Sequence, residues 1–285
     1  MWSEYTRAQE SERETALGGR KSVLRAKCRT MHGALDELLA DVAAGRRTAE
    51  EAAVALRDLG YVGVGDFARL DVTRAARAGA PEFVYAEAKS VDELVAIVDG
   101  YLAHSDAVLC SRASAEQAAA VAERQPGAAY DPRSRVLVVR RPGTAPPAAR
   151  GVAGILAAGT SDVGVAEEAA AVCRAMGVAA VTAYDVGVAG LHRLAGPLDE
   201  MRVAGVAAIV VAAGMEGALP SVVAGLVDVP VIGLPTSTGY GLGGRGEAAL
   251  LGMLQSCSPG LVVVNIDNGV GAGATAALIA RRAAG

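Results

Sequence analysis

Beyond position 150 the chain repeats one pattern. Apolar runs of strand length lie at 151–158, 178–183, 206–212, 229–234 and 261–266. Helix-periodic stretches follow them at 163–176, 191–204, 219–227, 247–257 and 274–282. Such alternation predicts βαβ units, because a parallel strand buried on both faces has no polar side. Five units make an α/β domain with a parallel sheet between two helical layers, the flavodoxin-like three-layer arrangement.

The first half is less regular. Residues 1–30 are polar, mixed in charge and without periodicity, and read as a flexible leader. Residues 30–59 carry an apolar helical face with Leu35, Leu38, Leu39 and Val42, and a second short helix follows the Thr48–Glu51 capping-box pattern. Gly60 stops it. Short strands (82–86, a run ending at Cys110, 136–140) then mix with helices (91–102, 114–123), predicting a smaller α+β N-terminal domain over 31–145. The Pro-, Gly- and Ala-rich stretch 142–150 reads as a linker to a 151–285 domain.

Charge sharpens this division: 42 charged residues lie in 1–150 and only 16 in 151–285. The second half is therefore expected to be mostly buried, within its own sheet or between subunits. A net charge of −4 argues against a nucleic-acid or anionic-membrane surface as the main partner. Hydrophobic residues reach 52% with aromatics at 4%, so the core is built from Ala, Val and Leu. No Gly-free apolar run reaches the roughly 18 residues of a membrane span. Residues 1–29 lack the apolar segment of a secretory signal. Cys28, Cys110, Cys173 and Cys257 show no CxxC spacing, which points to free thiols and a cytoplasmic location. His32, His104 and His192 are scattered, so no histidine metal site is expected.

Ligands of open parallel sheets bind past the carboxyl ends of the strands, and the unusual polar sequences fall there. Gly159-Thr160-Ser161-Asp162 opens a helix; it reads either as a plain N-cap or as an anion site whose Asp162 holds ribose hydroxyls. In Gly214-Met215-Glu216-Gly217, Glu216 is the only charged residue between Arg202 and Asp228. That isolation suits either a carboxylate with raised pKa doing acid–base work or one placed at a helix N-terminus. Thr236-Ser237-Thr238-Gly239 begins a Gly- and hydroxyl-rich loop, fit either to close over a phosphate or to be a plain surface loop. Cys257, between Ser256 and Ser258, is a small buried hydrophobe or a nucleophile, depending on its thiolate fraction. Asn265 and Asp267 bracket the last strand exit, as an Asx-turn or as site residues.

At these motifs the chain resembles a known family. GTSDVGVAEEAA, GMEGALPSVVAGLVDVPVIGLPTSTGYG, ALLGMLQSCSPG and VVNIDNGVGAG are similar to the LarB-type carboxylase/hydrolases, the pyridinium-3,5-biscarboxylic acid mononucleotide synthases of nickel-pincer cofactor synthesis. The resemblance covers 151–285 and reaches back to the stretch 70–82, with Asp71, Arg74, Arg77 and Glu82; residues 1–30 and 105–150 carry less of it. The catalytic domain also resembles the aminoimidazole ribonucleotide carboxylases and mutases, whose Ser-Asp pair corresponds to Ser161 and Asp162. Where those enzymes carry a catalytic His, this chain has Thr182-Ala183-Tyr184-Asp185. The departure argues for the pincer-cofactor branch.

The resemblance implies carboxylation of nicotinic acid adenine dinucleotide by CO2 and hydrolysis of its phosphoanhydride, with Mg2+ assisting. In it Cys257 is the nucleophile and Glu216 the base. Thr160, Ser161, Asp162, Tyr184, Asp185, Gly214, Met215, Thr236, Ser237, Asn265, Asp71 and Arg74 form the substrate-binding set, with Asp71 and Arg74 equally readable as part of a structural ion-pair network. A homo-oligomer is expected, an octamer or its dimeric building block by analogy. The alternatives are a purine-type carboxylase or mutase, a non-catalytic nicotinate-nucleotide binding module, and an assembly protein whose apolar half serves only association.

Overall fold

A computed structural model describes residues 38–58, 61–72 and 74–285 of the chain. The expected leader, 1–30, lies outside the described residues. The chain divides into two compact units, Met1–Gly79 and Ala80–Gly285.

In the first unit, helical residues 38–43 end before Gly45, which sits at φ 68°. Helix α1 (Ala49–Asp58) follows, and Thr48 and Glu51 form the expected reciprocal cap. An antiparallel hairpin, β1 (Val62–Val64) and β2 (Ala68–Leu70), turns at Gly65 with φ 55°. Helix α2 (Arg74–Ala78) closes the unit.

The second unit opens with β3 (Phe83–Tyr85), α3 (Val91–Leu102), β4 (Ala107–Ser111), α4 (Ala115–Arg124), β5 (Ala128–Asp131) and β6 (Val136–Arg140). The four strands form one sheet in the order β3-β4-β6-β5. Both helices start at a serine cap, Ser90 with Glu93 and Ser114 with Gln117, each a complete capping box. This is the smaller α+β region. Sequence periodicity missed β1, β2, β5 and α2, which span only three to five residues each.

The remaining elements are β7 (Val152–Ala157), α5 (Val163–Ala175), β8 (Ala179–Tyr184), α6 (Ala195–Val203), β9 (Ile209–Ala213), α7 (Leu219–Ala224), β10 (Val231–Pro235), α8 (Glu247–Leu254), β11 (Leu261–Val263) and α9 (Gly269–Ala283). The five strands are all parallel, in the order β8-β7-β9-β10-β11. This is the 2-1-3-4-5 order of flavodoxin-like sheets. Alternate residues of β7 face opposite layers. Ile155 packs with Ala169, Val172, Ala276 and Ala277 of α5 and α9, whereas Leu156 packs with Met201, Leu219, Val223 and Met253. Leu109 and Val136 belong to the α5–α9 core, which joins the small sheet to this layer.

Several boundaries differ from expectation by three to five residues: β9 starts at Ile209, α6 starts at Ala195, and α7 and α8 end at Ala224 and Leu254. β11 ends at Val263 rather than at 266, because the chain turns away through Asp267 at φ 56°. α9 begins at Gly269, five residues earlier than expected. Its glycines read as loop residues from sequence. In the fold they allow close approach: a Cβ at Gly269 would meet the Glu168 carboxylate, and one at Gly273 the Ala169 carbonyl oxygen. Gly273→Val is therefore expected to cost about 1–3 kcal/mol or more from overpacking. Gly225→Ala, with no atom nearer than 3.5 Å to the new Cβ, is expected to stay within about 1 kcal/mol of neutral. Denaturant unfolding of the two variants checks the contrast.

Candidate functional site

The carboxyl ends of the parallel strands are tied together by side chains. Past β7, the turn Thr160–Asp162 buries Asp162. Its Oδ2 accepts the Gly159 N–H at 2.9 Å, and its Oδ1 accepts the Thr236 hydroxyl at 2.6 Å. Thr236 is fully buried at the end of β10. Asp162 thus closes the turn that precedes it rather than capping α5, where its side chain makes no cap bond, and it also locks the β7 exit to the β10 exit. Thr160 and Ser161 are exposed beside it. Ser161 offers its carbonyl to the Thr238 hydroxyl at 3.4 Å.

The β9 exit joins the same rim. Gly214 lies so close to Thr236 and Thr238 that a Cβ would strike both. Met215 donates its N–H to the Thr238 carbonyl at 3.0 Å. From β11, the Asp267 carboxylate accepts the Ser237 N–H at 2.8 Å, and its carbonyl accepts Arg112 Nη2 at 2.6 Å. Arg112 comes from the end of β4, so it carries the rim onto the small sheet. Arg112, Asp185, Met215 and Asp267 are all non-glycine residues at positive φ just past strand ends. Such conformations cost on the order of 1–3 kcal/mol each and cluster at functional sites.

Other candidates fall elsewhere. Tyr184 donates to Glu167 at 2.6 Å, and burial, then that bond, pushes its hydroxyl up to about 12. Asp185 pairs with Arg193 at 2.6 Å. Asn265 Oδ1 accepts the N–H of the next residue, Ile266, at 2.9 Å, one residue short of the expected Asx-turn. Asp71 and Arg74 lie in the first unit, where the Arg74 N–H meets the Asp71 carbonyl at 3.4 Å.

Glu216, in the turn between β9 and α7 that packs against α8, and Cys257, past the end of α8, do not belong to the Asp162–Thr236 lock. Gly217 packs against Ala249, and the Glu216 carbonyl lies against Gly252. Glu216 is exposed, so the apolar run around it does not enclose its carboxylate. Cys257 occupies the loop that enters β11 from its amino end, where Ser258 donates to the Ser221 carbonyl at 2.9 Å. Helix α8, eight residues and so roughly 12 Å long, separates this loop from Thr236. Among the described cysteines Cys110 and Cys173 are buried and pushed up to about 12 by that burial, whereas Cys257 is exposed.

Two participants escaped the sequence reading. Arg112 follows β4 directly, a position past a parallel strand where a cation could have been noted. Glu168 falls on the apolar stripe of α5 with Val165 and Val172, three and four residues away, which was its signal. It is buried, accepts the Gly269 and Val270 N–H groups at the start of α9, and faces Arg112. Burial raises it to about 7, against the pull of Arg112 and those two N–H groups.

The fold and strand-end rim define a flavodoxin-like α/β domain, and the family matches give it the carboxylase class. Residues 152–284 match the AIR carboxylase model, and residues 61–141 match the LarB/PurE-like N-terminal domain. A relative from Methanocaldococcus jannaschii, the uncharacterized protein MJ0165, is 43% identical over 226 residues, 78% of this chain and 87% of that one. The chain belongs to the LarB-type family, with an AIR carboxylase-like catalytic domain.

Thr236→Val leaves a buried carboxylate oxygen without its donor and is expected to cost about 1–3 kcal/mol, with Thr236→Ser restoring most of it in thermal unfolding. Glu168 holds its proton more tightly folded than unfolded. The stability it contributes is therefore present below about 4.5 and lost as pH rises through about 7. Relative to Glu168→Gln, the protein is expected to lose on the order of 3 kcal/mol across that window, read from denaturant unfolding at a series of pH values. A constant difference would contradict it.

Proposed function

We propose that this protein carboxylates carbon 5 of the pyridinium ring of nicotinic acid adenine dinucleotide with CO2. It also hydrolyses the phosphoanhydride, releasing AMP and pyridinium-3,5-biscarboxylic acid mononucleotide. The carboxylase class rests on the family. The choice of substrate rests on one observation: the chain lacks the imidazole that purine carboxylases carry past β8, and it exposes a thiol elsewhere, in the loop that enters β11. Residues 182–185 contain no His, and Tyr184 and Asp185 are engaged with Glu167 and Arg193. Cys257 is exposed.

The chemistry follows from the ring's charge. A pyridinium carbon resists electrophiles. Addition of the Cys257 thiolate at carbon 4 gives a neutral dihydropyridine, whose carbon 5 is an enamine carbon and attacks CO2. Glu216 then takes the carbon 5 proton, and expulsion of the thiolate restores the aromatic ring. Water cleaves the anhydride. In this reading the ring lies along α8 toward Glu216 and Cys257. Ribose and phosphate lie toward the exposed Thr160 and Ser161, beside the buried Asp162.

Among the described residues no group of three or more His, Cys, Asp or Glu side chains could hold a metal ion. The described donors offer no three-ligand cage, and no step is assigned to a resident metal ion. Magnesium enters the proposal as companion to the substrate's phosphates, since that ion is commonly bound by one or two carboxylates plus phosphates. Self-association is also proposed. It is supported by the exposed Leu251, Leu254 and Val262 on α8 and β11, and by Tyr240 and Leu242 in the preceding loop. No described helix is long and apolar enough to cross a membrane.

Incubation with the dinucleotide, magnesium and labelled bicarbonate, followed by mass spectrometry, tests the reading. AMP plus a mononucleotide carrying one labelled carboxyl is expected, with no product from Cys257→Ser. Tight nucleotide binding without product would contradict the carboxylase/hydrolase, and turnover of aminoimidazole ribonucleotide instead would favour the purine reaction.

A further inference from the structure

A cavity lies outside the motifs that carry the family resemblance. It measures about 340 Å³ and opens where β3 and β4, a parallel pair, end. Its walls carry three cations, Lys89, Arg112 and Arg135, against two carboxylates, Glu87 and Glu116. Ligand pockets commonly span roughly 300–1,000 Å³, so this one suits a small, charged ligand.

The guanidinium groups are held in place. Arg135 donates to the Arg112 carbonyl at 3.0 Å and to Glu87 at 3.2 Å, and Arg112 Nη1 stands 3.6 Å from the other Glu87 oxygen. Lys89 is anchored on the Tyr85 carbonyl at 2.9 Å. A guanidinium has five N–H donors, and these contacts leave donors on both arginines for an anion. Arg112 and Arg135 both adopt positive φ, 53° and 55°. The Ser90 and Ser114 capping boxes at the cavity edge take the N–H groups of Ser90, Glu93, Ser114 and Gln117. The side-chain cations supply the charge that attracts an anion.

Arg112 makes this cavity continuous with the catalytic rim, because the same guanidinium that lines it also holds the Asp267 carbonyl at 2.6 Å. We propose that the cavity binds the adenylate half of the dinucleotide, an assignment that rests on the proposed substrate. The phosphate sits on Lys89 and Arg135, the ribose diol is accepted by Glu116, and the base lies over Val91. A carboxylate can accept both hydroxyls of a diol. The arrangement separates the two jobs of the molecule. The nicotinate half reacts along the five-stranded sheet, while the leaving nucleotide is gripped by the small one.

The test is calorimetric titration of the full chain with AMP, and separately with nicotinic acid mononucleotide. Lys89→Glu and Arg135→Glu are each expected to weaken AMP binding by about tenfold or more, the scale of a lost charge-assisted hydrogen bond. Mononucleotide binding should change by less than about twofold on the same scale. Inorganic phosphate and adenosine report which part of AMP is held. Failure of AMP to bind, or AMP binding unchanged in both variants, would overturn the proposal. Equal weakening of both ligands would also overturn it, since that would indicate a general structural effect. Binding lost only for AMP in a protein that turns over no dinucleotide would overturn the carboxylase reading while supporting the cavity site.

Discussion

The close crossing of α5 and α9 is the constraint on which the catalytic face depends. Gly269 and Gly273 let α9 lie directly on α5, and Glu168 of α5 accepts the first N–H groups of α9. That contact fixes where α9 starts, and so fixes Asp267 immediately before it. Asp267 in turn holds Ser237 through its carboxylate and Arg112 through its carbonyl. A buried carboxylate is costly unless hydrogen-bonded. Here that cost is only partly offset by the N–H groups of the helix start and by a facing guanidinium, since burial still raises the carboxyl to about 7.

The rim has two chemically distinct parts. Asp162, Thr236 and Asp267 are turned inward and bonded to the chain, so they shape loops and align backbone groups. Glu216 and Cys257 are exposed along α8 and are free to meet a substrate. In the proposed reaction this division separates holding the sugar–phosphate from activating the ring. The small sheet adds a third, cationic element through Arg112.

Much of the fold was legible because buried parallel strands and amphipathic helices leave strong patterns. All five strands of the large sheet, and the capped helices α3 and α4, lie close to their expected positions. The failures have a common physical origin. Glycine-rich Gly269–Gly273 looked like a loop because a single sequence does not reveal which helix a glycine is approaching. The three-residue strands β1 and β2 are too short to display a period. In the site, the strand-end motifs fall on one rim, and Asp162 closes its turn by accepting the Gly159 N–H rather than by capping α5. Glu168 and Arg112 were missed because their meaning arises from contacts across elements, Arg112 with Asp267 being 155 residues apart.

The central claim is that an exposed thiol converts an electrophilic ring into a nucleophilic one. Near-ultraviolet titration with nicotinic acid adenine dinucleotide, with CO2 excluded, tests it most directly. The account predicts a new dihydropyridine absorbance band that saturates with substrate, bleaches on addition of CO2 and is absent in Cys257→Ala. Saturable binding with no such band, or the same band in Cys257→Ala, would contradict it.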